Sequence, residues 1–129
     1  MDAVLTRLPD EPIVIVEICP TLDPQREVYE IADTIAEMFA GEEGPIYRIN
    51  DFTNMELPFS GLVMGLGLEA QGRPGSLSDP RIKPIFVGTS KMVGLGAKSA
   101  RQEHYGGLEI LLFATLDDAL AHIRAELGG

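Results

Sequence analysis

Residues 13–19, IVIVEIC, form an almost unbroken β-branched run, and that run constrains the fold more than any other feature. A strand apolar on both faces has to be covered on both faces, which places it inside a sheet flanked by helices. Asp23-Pro24 then opens a helix: the Asp side chain caps free amides, and the fixed φ of Pro suits the first helical position. Val28, Ile31, Ala32, Ile35, Met38 and Phe39 recur at helical spacing, with Glu30, Asp33 and Glu37 on the other face. Gly41 ends the helix.

The rest of the chain repeats this alternation. Residues 3–8 read as a strand joined to 13–19 through the turn signal Pro9-Asp10-Glu11-Pro12. Residues 45–50 form the next strand. There Tyr47 and Ile49 alternate with Arg48 and Asn50, so one face of the sheet is expected to be partly polar. Residues 59–69 have helical length but are apolar nearly all round, and a Gly/Pro/Ser-rich stretch at 71–84 is expected to be the most mobile segment. Strand 84–88, helix 90–103, strand 108–114 and helix 116–127 follow. The last helix opens on a capping-box pattern at Thr115 and Asp118. Its apolar stripe is Leu116, Ala119, Leu120, Ile123 and Leu127. The order β-β-α-β-α-β-α-β-α predicts an α/β domain spanning 1–129, with a mainly parallel sheet of about five strands, an antiparallel N-terminal edge and four helices. The expected core includes Ile15, Ile31, Ile35, Ile49, Phe86, Leu112, Leu120 and Ile123.

Charge and motif content exclude several function classes. The 129 residues carry 20 acidic against 10 basic side chains, a net charge of −10. Such a surface repels phosphate backbones and anionic headgroups, so neither nucleic acid nor a membrane surface is an expected partner. The longest runs free of charged and polar side chains, 12–16 and 61–68, are too short to span a bilayer. No signal peptide is evident, so a cytoplasmic location is expected. Cys19, the lone cysteine, reads as a buried inert thiol. His104 and His122 have no Cys or carboxylate at metal-ligand spacing, and neither a metal nor a cofactor is expected. Gly94-Leu95-Gly96-Ala97-Lys98-Ser99 departs from a phosphate-binding loop, because Ala97 separates Gly96 from Lys98 and the segment falls inside a helix. These glycines are expected to let the helix pack closely on a neighbour. No nucleophile elbow exists, and the pairs Glu42-Glu43 and Asp117-Asp118 sit at helix ends. No catalytic residue is assigned, and an enzyme is not expected.

Three groups remain as candidate binding residues. Arg48, Asn50 and Asp51, with Asn54, lie on and after a central strand, where ligand sites of parallel sheets form. The alternative is an Asp/Asn-rich turn with Arg48 paired to Glu17 on the neighbouring strand. Thr89, Ser90 and Lys91 stand at a strand end leading into a helix. They serve either as a simple cap or as an anion site at the helix N-terminus. The third group is the helix from Phe59, with Ser60, Leu62, Val63 and Met64. It carries no charge between Glu56 and Glu69. Its glycines at 61, 65 and 67 each lower helix propensity by about 1 kcal/mol relative to Ala. Close approach of a partner helix or a ligand would account for both features, and a homodimer or higher oligomer burying this helix is expected.

The segments IYRINDFTNMEL (46–57), IKPIFVGTSK (82–91) and EILLFATLDDALAHI (109–123), in this element order, resemble the SpoIIAA-like fold of STAS domains and their STAS/SEC14-like relatives. The anti-sigma-factor antagonists of that family begin this helix with Asp-Ser-Ser/Thr-Gly and are phosphorylated at the first Ser. Here Pro58, Phe59, Ser60 and Gly61 stand at the four positions, so a cognate kinase is not expected to modify this helix. The resemblance implies a non-catalytic binding or regulatory module acting through protein contacts of the helix near Phe59. The alternative is a carrier of a small apolar, lipid-like ligand, with a pocket under that helix and 71–84 as a lid. A cavity beneath 62–68 favours the carrier; a filled core with an exposed apolar patch favours the interaction module.

Overall fold

The computed structural model describes residues 2–128. Strand β1 (Ala3–Arg7) and strand β2 (Ile13–Ile18) form the N-terminal hairpin, followed by α1 (Pro24–Met38), β3 (Ile46–Asp51), α2 (Phe59–Glu69), β4 (Ile82–Val87), α3 (Lys91–Ser99), a 3-10 turn (Glu103–Tyr105), β5 (Leu111–Phe113) and α4 (Leu116–Gly128). The described residues form one five-stranded sheet in the order β1-β2-β3-β4-β5. β1 is antiparallel to β2, and every later pair is parallel. Right-handed crossovers that always step in the same direction stack their helices on one face. Accordingly Ile31 and Ile35 of α1, Leu62 and Leu66 of α2, and Val93 and Ala97 of α3 share a core with Val14, Val16 and Phe86. On the opposite face Ala119 and Ile123 of α4 pack with Ile13, Tyr47, Ile49, Ile85 and Val87.

The local signals behave as their chemistry requires. Asp23 Oδ1 accepts from Gln25 N at 3.1 Å, and Thr115 Oγ1 accepts from Asp118 N at 3.1 Å. Glu27 ties the start of β1 to the start of α1 by accepting from Asp2 N at 2.6 Å and Asp23 N at 2.8 Å, and those two backbone donors lower its pKa. Gly96 lets α3 settle on α2, because a Cβ there would lie 2.6 Å from Leu62 Cδ1.

Several expectations need correction. The helix expected over 90–103 ends at Ser99, since a 3-10 turn and the left-handed Gly106 and Gly107 (φ 92° and 61°) redirect the chain. The strand expected over 108–114 pairs only through Leu111–Phe113, and β4 starts at Ile82 rather than 84. Ile15 and Leu120 are half-buried. Leu112 is 45% exposed, because β5 is an edge strand and the residue above it is Gly94, where a Cβ would lie 3.7 Å from Leu112 Cδ2. The stretch 71–84 is packed into the domain rather than open. Arg73 pairs with Asp33 at 2.9 Å, Asp79 accepts from Gly75 N at 2.8 Å and Arg81 N at 2.9 Å, and Ser76, Leu77 and Asp79 are buried.

Candidate functional site

Strand parity places the site. The parallel register sets Arg48 opposite Val14 and Asn50 opposite Val16, so both polar side chains point into the core beneath α1 and α2. Arg48 is 1% exposed. A guanidinium so far from water needs its charge and its N–H groups answered locally. Nη1 donates to Glu69 Oε1 and to Gly75 O, both at 3.1 Å, and Nη2 donates to Glu69 Oε2 at 2.8 Å. Nε donates to Asn50 Oδ1 at 3.0 Å, and Leu77 N donates to Glu69 Oε1 at 3.2 Å. One ion pair thus joins β3, the end of α2 and the 71–84 segment.

The expected Arg48–Glu17 pair does not form. Glu17 pairs in register with Asp51, three positions beyond Arg48, and strand alternation sends its side chain to the opposite face. Glu17 accepts instead from Asn54 Nδ2 at 3.2 Å.

Arg48 also orients Asn50. A guanidinium only donates, so Oδ1 must face it and the amide Nδ2 must face away. Among the described residues Nδ2 has no hydrogen-bond partner, and it keeps accessible surface although Asn50 as a whole is only 5% exposed. Asn50 lines a cleft of about 120 Å³ between α2, the segment leading into α1, and the sheet. Ile18, Leu22, Ile31, Phe52, Met55, Leu57, Leu62, Leu66, Leu77 and Phe86 make its walls, with Arg48, Asn50 and Glu69 as the polar patch.

The space exists because of α2. The helix row facing the cleft is Gly61, Leu62, Gly65, Leu66 and Glu69, spaced by three and four residues. A Cβ at Gly65 would meet nothing within 4 Å, and one at Gly61 would touch only Pro58 and Leu57 side chains, from 3.3 Å outward. Two missing side chains on the inward face leave the volume empty. Among the described residues lining it there is no Ser, Thr, Cys, His or Tyr. The arrangement can hold a molecule by apolar contact and one donated hydrogen bond.

Of the residues singled out from the sequence, Arg48, Asn50 and Leu62 come together here. Phe59, Val63 and Met64 lie on the outer face of α2 and are exposed, as is Ser60. Asp51 shares the α4 face with Tyr47 and Ile49, and its Oδ1 accepts from Thr53 N at 3.0 Å in a tight turn. Thr89, Ser90 and Lys91 are exposed and do not line the cleft; Ser90 Oγ accepts from Val93 N at 3.2 Å and serves as the helix cap. Among the described residues no group of three or more His, Cys, Asp or Glu side chains is placed to hold a metal ion. Sequence reasoning did not single out Glu69 or Leu77 for the site. Glu69 carried a signal: it is the sole charge of an otherwise apolar helix, in a chain whose central strand holds one unexplained Arg.

No family model and no curated protein matches the chain. A structural match is found to the crystal structure of an uncharacterized protein of the DUF3478 family, with a SpoIIAA-like fold, from Shewanella loihica PV-4. It covers 94% of this chain and 91% of that one, with a TM-score of 0.62 and 16% sequence identity. The fold of this chain is SpoIIAA-like. Among the described residues no helix is long and apolar enough to cross a membrane.

Proposed function

We propose that this SpoIIAA-like domain is a non-catalytic binding module that holds a small, largely apolar molecule in the cleft beneath α2. The observation that carries this reading is the unpartnered amide of Asn50, which is 5% exposed and set in an apolar wall. The amide nitrogen opens onto the cleft rather than being sealed in the core, so an acceptor bound there gains one hydrogen bond, worth about 0.5–1.5 kcal/mol net. The volume, about 120 Å³, approaches the ~150 Å³ of apolar cavities that take up benzene. Leu77, contributed by the 71–84 segment, is a fixed wall of the site in this reading rather than part of a moving lid.

Gly65→Leu should fill the cleft without unfolding the domain, because nothing lies within 4 Å of the added Cβ and Leu is a better helix former than Gly by roughly 0.8 kcal/mol. Benzene titrated into the native protein should shift the methyl resonances of Leu62, Leu66 and Leu77. The same titration of Gly65→Leu should leave them unmoved. Native protein whose cleft methyls ignore millimolar benzene would remove the support for this reading.

A second reading, contact with another protein or a second copy through the outer face of α2, is favoured by the exposure of Phe59 (62%), Met64 (44%) and Val63 (40%) along one helix face. On that reading the native protein sediments as an oligomer and Val63→Glu as a monomer. A native monomer at high micromolar concentration speaks against self-association.

A further inference from the structure

We infer that the cleft selects an electrically neutral ligand ending in a hydrogen-bond acceptor, such as a ketone, ester or amide, over the matching carboxylate. The inference rests on the reading of the cleft as a ligand site and adds the chemistry of what it accepts.

The polar patch is asymmetric in what it leaves free. Asn50 Oδ1 is engaged by Arg48 Nε, and both oxygens of Glu69 are engaged by the guanidinium, one also by Leu77 N. The group left over is an N–H donor, so the ligand atom that meets it must be an acceptor.

Charge decides which acceptors fit. Arg48 would attract an anion if it stood alone, but Glu69 meets it with two oxygens, at 3.1 and 2.8 Å. The pair is neutral as a unit and sits beneath apolar walls. A carboxylate would therefore bring an unpaired charge into a site of low polarity, which a single neutral amide does not offset. The chain's net charge of −10 further opposes an anion's approach.

Three probes that share one phenyl ring separate these effects: acetophenone, neutral with an acceptor; benzoate, charged with acceptors; and ethylbenzene, with neither. Dissociation constants come from NMR titration at neutral pH, with the Asn50 side-chain amide protons followed directly. Acetophenone should bind the native protein at least roughly tenfold more tightly than benzoate and should shift the Asn50 amide protons. Asn50→Leu should lower the preference for acetophenone over ethylbenzene by about tenfold, the size expected for one hydrogen bond at a desolvated site. Asn50→Asp keeps an oxygen for Arg48 Nε but has no amide donor, and it should lower the same preference even if Asn50→Leu does not fold. Benzoate binding as tightly as acetophenone, or an acetophenone preference unchanged by Asn50→Asp, overturns the inference and leaves the cleft standing as an apolar site. Failure of all three probes to bind the native protein removes the ligand site itself, and the inference with it.

Discussion

Glu69→Ala should unfold at a far lower urea concentration than the native protein, with a loss of about 3–5 kcal/mol. The mutation removes little apolar surface. Its cost comes from Arg48, which is 1% exposed and would keep its charge with only Asn50 Oδ1 and Gly75 O as partners. Leu77 N would lose its acceptor as well. The pair as a whole is a different quantity from either half. Replacing both groups with apolar side chains of similar bulk, Arg48→Met with Glu69→Leu, removes the desolvation cost together with the attraction, and such exchanges are often neutral or stabilising. The double variant should therefore recover most of what Glu69→Ala loses. Urea midpoints for the three proteins test this, and a double variant as unstable as Glu69→Ala would show that the damage lies in packing rather than in stranded charge.

Gly75→Ala should cost about 2–5 kcal/mol, although it adds a single methyl group, because Gly75 is a buried position of the 71–84 segment. Gly75 has φ +84°, in the left-handed region, and an added Cβ would lie 2.0 Å from Ala32 O, inside the backbone of α1. The clash has no flexible side chain to absorb it, so the segment must lift from the helix. Lifting also withdraws Gly75 O from Arg48 and Gly75 N from Asp79. Gly72→Ala is the matched control. It has a similar left-handed φ of +73°, but nothing lies within 4 Å of the added Cβ, so only backbone strain applies. A Gly75→Ala protein no less stable than Gly72→Ala would refute the close approach to α1.

The parts of this fold legible in the sequence were those set by neighbours a few residues apart. The limits of α2, 59–69, and the cap of α1 at Asp23 come directly from local pattern. So does the polar alternation of Arg48 and Asn50 on β3. The site itself depends on meetings across crossovers. Arg48 and Glu69 are 21 residues apart, and no local period links them. Glu17 lies on the neighbouring strand and is the expected partner, but only register shows that it faces the other way. The 71–84 segment read as loose because its composition is that of a loop. What holds it is polar side chains bonding to its own backbone, as Asp79 does with Gly75 and Arg81. The inward glycines of α2 were visible as an anomaly; that they leave a volume, rather than admit a neighbouring helix as Gly96 does, follows only from the packed structure.

Neighbours in the sheet are also neighbours in the chain, and every residue lining the cleft falls between Ile18 and Phe86. A ribosome delivers the chain from its N-terminus at about 5–20 residues per second. Each strand after the first therefore emerges next to one already made, so no strand waits for a distant partner and the entropy of closing each connection stays modest. The floor, the helix above it and Leu77 are all synthesised before β5 and α4 exist. The last stretch of chain adds Ala119 and Ile123 against the far face of the sheet, on Ile13 and Ile49. Recognition and closure thus belong to successive stretches of polypeptide, and translation makes them in that order.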